Sequence, residues 1–239
     1  MDEVIETRKQ FHEELDELRR AVIHVAALVT DSIPRVTAAL LSGDLEEAQK
    51  LIERDDEVDH ASLANEEQAI RLMALQQPMA SDLRRVVTAL KLNGEIERSA
   101  DLATNIAKAT RRIHGATITP PLRGLIEAMS AEASKLFRLA VDAYADDDAG
   151  LAAALDDLDD RLDALNHEFV EAILATNGED HLELQPAVQL ALIARYYERI
   201  GDHAVNIGNQ VQYMVTGWLP EHAGAARVEA RRAEQRQKR

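Results

Sequence analysis

Apolar residues return every third or fourth position along almost the whole chain, the period of a helix with one face buried. The pattern lapses at "SGD" (42–44), "QQPMASD" (76–82), "HGATITPP" (114–121), "DDDAG" (146–150) and "TNGEDHLELQP" (176–186). Gly, Pro, Asp and Asn dominate these lapses, and such residues end helices or turn the chain. Six helices are expected, near 3–42, 44–75, 79–113, 121–146, 149–176 and 186–216, with Asp44, Ser81 and Asp148 as N-caps. Pro34 lies inside the first and is expected to kink or interrupt it.

The two adjacent prolines at 120 and 121 divide the chain into three helices and three helices, and the halves repeat one another. "ERSADLATNI" begins at Glu97 and "ERIGDHAVNI" at Glu198, an offset of 198 − 97 = 101 residues. Asp55 and Asp59 of "DDEVDH" match Asp159 and Asp163 of "DDRLDA" at an offset of 104. Two signatures recurring in the same order on the second and third helix of each half imply an internal duplication. The expected fold is all-α: two tandem three-helix bundles related by internal duplication, spanning 1–114 and 121–216, followed by a basic tail at 217–239.

Composition narrows the chemistry. Aromatic residues make up 3% of the chain and Gly and Pro are few, as in helical proteins. Cysteine is absent, so any metal must be held by oxygen or imidazole. A formal net charge of −16 opposes a phosphate backbone, so no nucleic acid is expected as a partner of the body of the protein. The N-terminus "MDEVIETRKQ" is unlike a signal peptide and no uninterrupted apolar run approaches the roughly 20 residues of a membrane span, which leads to a cytoplasmic expectation.

The repeated acids are the candidate chemistry. Glu97 and Asp101 lie one turn apart, and Leu83, Val86, Val87 and Leu90 fall within about 80° of Glu97 around the helix. Glu198 and Asp202 stand in the same relation to Leu184, Val188 and Ala191. The acids are therefore expected on the packing stripe, where a carboxylate is costly unless protonated, paired or bound to a cation. If Asp55, Asp59, Asp159 and Asp163 face them, each bundle gathers four carboxylates with Asn105 or Asn206 as a neutral oxygen ligand. Iron, manganese, zinc and magnesium all suit such a set. An acid-rich helix also carries solvated ion pairs on an ordinary surface, and Arg98 and Arg199 sit beside the glutamates. Recurrence at matched positions favours the metal reading for Glu97, Asp101, Glu198 and Asp202, while the aspartates of the second and fifth helices balance evenly between the two. His203 is a weaker candidate, since its counterpart is Leu102.

A phosphate loop, a Ser/His/Asp set and a nucleophilic Cys are all absent, and an enzyme is not expected. A di-metal carboxylate oxidase needs a Glu-x-x-His motif on each of two helices, and only Glu57 to His60 fits. A purely structural helical scaffold does not account for twin acids repeated on a packing face.

With "QQPMASDLRRVVTALKLNGEIERSADLATNIA" in one half and "LALIARYYERIGDHAVNIGNQV" in the other, the chain closely resembles the PhoU family over essentially 1–216. Those are the accessory and regulatory proteins of phosphate-specific transport. The resemblance implies two three-helix bundles, a homodimer, and metal ions held by Glu97, Asp101, Glu198 and Asp202, with Asn105 and Asn206 completing each signature. It also implies a noncatalytic adaptor between the ATPase subunit of the phosphate ABC transporter and a membrane sensor histidine kinase, acting as a negative regulator of the phosphate-starvation response and of uptake. The repeats differ at Ser99 and Ala100, which stand opposite Ile200 and Gly201.

Overall fold

The structure, a computed structural model, describes residues 2–179 and 183–218, with side chains placed for 8–176 and 183–218. The basic tail expected at 217–239 lies outside the described residues from 219 onward.

Seven helices are present among the described residues: α1 (Asp2–Ser42), α2 (Leu45–Glu53), α3 (Asp55–Gln76), α4 (Ala80–Arg112), α5 (Pro120–Ala145), α6 (Ala149–Glu179) and α7 (Leu184–Thr216). The expected second helix, 44–75, is two. Arg54 separates α2 from α3 while keeping helical angles (φ −69°, ψ −17°), and its guanidinium donates to Asp31 at 2.9 Å. The ladder is thus re-phased without a loop. Pro34 does not interrupt α1, which runs through it; its φ suits a helix and only one backbone donor is lost.

Two of the three expected caps form. Asp44 accepts from the backbone N–H groups of Glu46 (3.1 Å) and Glu47 (3.0 Å), and Asp148 from those of Gly150 and Leu151 (both 2.9 Å). Ser81 lies inside α4, whose N-cap Met79 makes no side-chain cap bond. Pro120 opens α5 with its fixed φ, and Gly217 closes α7 in the left-handed conformation (φ 76°).

Each half is a bundle of long antiparallel helices, and the two halves share one core. Besides packing on α3 and α4, α1 packs on α5; α4 packs on α7. On α1 the buried positions Leu15, Leu18, Val22, Val25, Val29, Ile33, Val36 and Leu40 are spaced by three or four residues. Residues 8–42 are long and apolar enough to cross a membrane by length and composition only, and these apolar positions are covered by the other helices.

Polar links also cross between halves. Arg19 donates to the α5 carbonyls of Tyr144 (2.9 Å) and Ala145 (2.6 Å) and to Asp147 (2.9 Å), which Arg85 also meets at 2.7 Å. Thr37 gives its proton to the Ile33 carbonyl and stands 2.7 Å from both the Ser130 and the Tyr197 hydroxyls. A hydroxyl has one proton, so Thr37 accepts from both partners.

Glycines report how close the helices come. A Cβ at Gly201 would meet Asp159 Oδ1 and Leu162 Cδ2 (2.7 Å), and one at Gly208 the Ala152 carbonyl oxygen and Leu155 Cδ1 (both 2.7 Å). At Gly124, on the exposed side of α5, an added methyl meets nothing within 4 Å. Gly124→Ala is expected to stabilise the protein by about 0.5–1 kcal/mol through lost unfolded-state freedom; urea denaturation checks it, and a loss of stability would contradict the open site.

Candidate metal centre

The duplication brings the predicted acids together as two separate groups. In the first, Asp55 and Asp59 near the start of α3 are electrostatic neighbours of Asp101 on α4, and Glu97 feels Asp59, Asp101 and Glu66. Burial, then the like charges of Asp59 and Asp101, raises the Asp55 carboxyl above the usual range, offset in part by a hydrogen bond from Thr104 and by Lys108. Glu97 is raised for the same two reasons. Asn105, half-buried, follows Asp101 by one turn.

The second group is more tightly drawn. Asp159 and Asp163 on α6 and Asp202 and Asn206 on α7 line an open basin of 470 Å³, joined by Asp156, Asp160, Arg199 and His203. Asp159 is pushed up to about 7, by burial first and then by the charges of Asp163, Asp202, Asp156 and Asp160. Its Oδ1 is buried without a hydrogen-bond partner. The first half avoids this with Thr104, where the second has Val205. Asp159 can pack so closely because residue 201 has no side chain; Ala100 occupies that place in the first half.

One expectation needs correction. The acids do not stand on the core stripe: Glu97, Asp101 and Asp202 are exposed and Glu198 is half-buried. The buried stripe of α4 runs through Leu92, Ile96 and Ala103, and Ile96 lies about 100° around the helix from Glu97. Of the residues that set the azimuth, Val86 is buried, but Leu83, Leu184 and Val188 are exposed and Val87, Leu90 and Ala191 are half-buried. The acids therefore form rims between paired helices. Glu198, moreover, is engaged by Arg195, one turn earlier.

Among the described residues, no three His, Asp or Glu side chains converge into a ready-made ligand set, as carboxylates repelling one another without a counter-charge must spread. The donor chemistry nevertheless fits an oxygen-preferring cation, and the orphaned Asp159 Oδ1 is the atom such an ion would satisfy. Glu57 and His60, the lone oxidase-like pair, are both exposed.

The spacing of the motif gives no sign of Glu95. Its side chain, 16% exposed, accepts from His203 Nδ1 at 2.7 Å and Asn206 Nδ2 at 3.1 Å, and Arg98 meets it at 3.1 Å. Burial opposes the charge of Glu95, but the bonds from His203 and Asn206 outweigh it and hold the carboxyl below its ordinary range. The counterpart of Glu95 is Tyr196, so the repeat carries no signal of it.

Comparison with known proteins matches the PhoU domain family twice, at residues 22–110 and 126–211. The chain is 33% identical over 220 residues to the "Phosphate-specific transport system accessory protein PhoU homolog" of Zymomonas mobilis, covering 92% of each chain. It is 33% identical over 211 residues to the protein of the same description in Rhizobium meliloti, covering 88% of this chain and 89% of that one. Among solved structures it is similar to PhoU from Pseudomonas aeruginosa, with a TM-score of 0.82, 28% identity, and coverage of 87% and 100%. The regulatory protein PhoU from Streptococcus pneumoniae gives 0.81 and 25%, covering 87% and 98%.

Proposed function

Because this chain belongs to the PhoU family, matched in both of its halves, we propose that it is a noncatalytic regulatory adaptor of phosphate homeostasis. It restrains the phosphate-starvation response and uptake through the phosphate ABC transporter, linking the transporter's ATPase subunit to the membrane sensor histidine kinase on the cytoplasmic side. It works as a homodimer and binds iron, zinc, manganese or magnesium at the two acid rims. The relatives' description as accessory proteins of phosphate-specific transport supports the first part.

The observation that carries the metal part is the buried, unpartnered Asp159 Oδ1 set among Asp163 and Asp202. A cation there would neutralise charges that now oppose one another, and the chain's own residues would hold and orient it. Exposed apolar residues supply material for protein contacts: Leu75, Met79 and Leu83 where α3 meets α4, and Leu174, Leu184 and Val188 where α6 meets α7.

Two measurements test the proposal. Deleting the gene is expected to switch on a phosphate-starvation reporter in phosphate-rich medium, and an unchanged reporter would refute the regulatory role. Elemental analysis of chelator-free protein is expected to find metal in the parent and none after Asp55, Asp59, Glu97, Asp101, Asp159, Asp163, Glu198 and Asp202 are made amides. Equal metal in both samples would remove these residues from the site.

A further inference from the structure

Glu95 belongs to the first half by sequence, but its carboxylate serves the second. Its Oε2 takes hydrogen bonds from two side chains of α7: His203 Nδ1 at 2.7 Å and Asn206 Nδ2 at 3.1 Å. An ionised carboxylate only accepts, so Asn206 must turn its amide nitrogen toward Glu95. The carbonyl oxygen of Asn206 is then the end left free, and Asn206 lines the basin with Asp159, Asp163 and Asp202.

A second observation marks this basin as built for a ligand. His203 also lines it, is 6% exposed, and has a buried Nε2 without a hydrogen-bond partner, although its Nδ1 is fixed by Glu95. The polar wall is thus ordered from behind by Glu95 and incomplete in front.

We propose that Glu95 is the positioning residue of the second-half basin: by holding the amide nitrogen of Asn206 it presents the Asn206 carbonyl oxygen to the cation that Asp159, Asp163 and Asp202 bind. This rests on the metal reading above. It also makes the second basin unequal to the first acid group, the cation site formed by Asp55, Asp59, Glu97 and Asp101 and called the first basin below. The residues matching Glu95, His203 and Asn206 are Tyr196, Leu102 and Asn105, and Tyr196 brings no carboxylate to Asn105. The second basin is tied across the junction between halves, since α4 supplies its support and α6 and α7 its ligands.

The test is calorimetric titration with manganese(II) of full-length protein in which Asp55→Asn, Asp59→Asn, Glu97→Gln and Asp101→Asn leave the second basin alone. Glu95→Leu is expected to weaken binding there by about 10–100-fold, the range for losing an outer-shell partner. Glu95→Gln, whose amide oxygen can still accept from Asn206, is expected to lose less. The double variant Glu95→Leu/Asn206→Ala is expected to bind no worse than Asn206→Ala alone, because both act through one oxygen. The first basin, isolated by Asp159→Asn, Asp163→Asn and Asp202→Asn, is expected to keep its affinity when Glu95 is changed. Unaltered binding in Glu95→Leu, equal losses at both basins, or additive losses with Asn206→Ala would overturn the proposal. Should Glu95→Leu fail to fold, Asn206→Ala with and without Glu95→Gln supplies the same cycle, and additivity there overturns it. Parent protein that takes up no manganese at either basin would sink the metal reading itself, and this proposal with it.

Discussion

Gly208→Val is expected to lower the melting temperature by on the order of 10 °C, the equivalent of about 3 kcal/mol in a protein of this size. An added Cβ at 208 would sit 2.7 Å from the carbonyl oxygen of Ala152 and 2.7 Å from Leu155 Cδ1. The leucine can rotate, but the carbonyl belongs to the backbone of α6, so relief requires moving a helix that also packs on α5. Removing a helical glycine gains up to about 1 kcal/mol, which overpacking and the branched side chain exceed. Scanning calorimetry beside Gly124→Ala separates the two effects, since that variant gains the glycine benefit with no neighbour to meet. A Gly208→Val loss below about 1 kcal/mol would mean that α6 and α7 can part easily at this crossing. Ala107 holds the matching place in the first half, so the constraint belongs to the second.

The second large effect is a stability gap that depends on pH. In metal-free protein the Asp159 carboxyl is raised from its ordinary 3.8 to about 7 by burial and by the like charges around it. A group raised in the folded state contributes its full stability below its unfolded pKa, where it is neutral in both states, and loses it as pH climbs through the folded value. Stability from Asp159 therefore declines between about pH 4 and 7 and is gone above that range. Asp159→Asn carries no charge at any pH. It is expected to melt above the parent at about pH 8, with the gap closing as the buffer approaches about pH 4. Thermal melts in chelator across this range check it, and a gap independent of pH would show that the Asp159 carboxyl is not strained by its neighbours. Adding a bound cation is expected to remove the advantage of the variant, because ligand binding stabilises only the form that holds it.

How far the sequence discloses this site depends on which residues recur. The i, i+4 acids were visible because each appears twice at one spacing, and the structure does set Asp55 and Asp59 beside Asp101, and Asp159 and Asp163 beside Asp202. Their depth is not legible in the sequence, because Leu83, Leu184 and Val188 read as core residues yet are exposed, while Val86 on the same stripe is buried. Helical period tells which residues share a face and is silent on where the covering helix ends. The split at Arg54 leaves no mark in composition, since its backbone stays helical. Ser81 looks like a cap from its residue type, yet the chain enters α4 at Met79. Glu95 was out of reach for a different reason: its partners lie more than a hundred residues away on α7, and only the packing of α4 on α7 brings them together.

The hydroxyl cluster of Thr37, Ser130 and Tyr197 sits where α1, α5 and α7 meet, and Tyr197 is fully buried there. Apolar side chains tolerate a small slip between helices, whereas these three oxygens match at one alignment only. Sliding α1 along α5 would part Thr37 from the Ser130 and Tyr197 hydroxyls and leave buried polar groups short of a partner, at a cost of about 1–3 kcal/mol. The seam between the halves thus behaves as a keyed joint. Shearing of one half past the other is thereby disfavoured relative to a tilt of whole helices about that key.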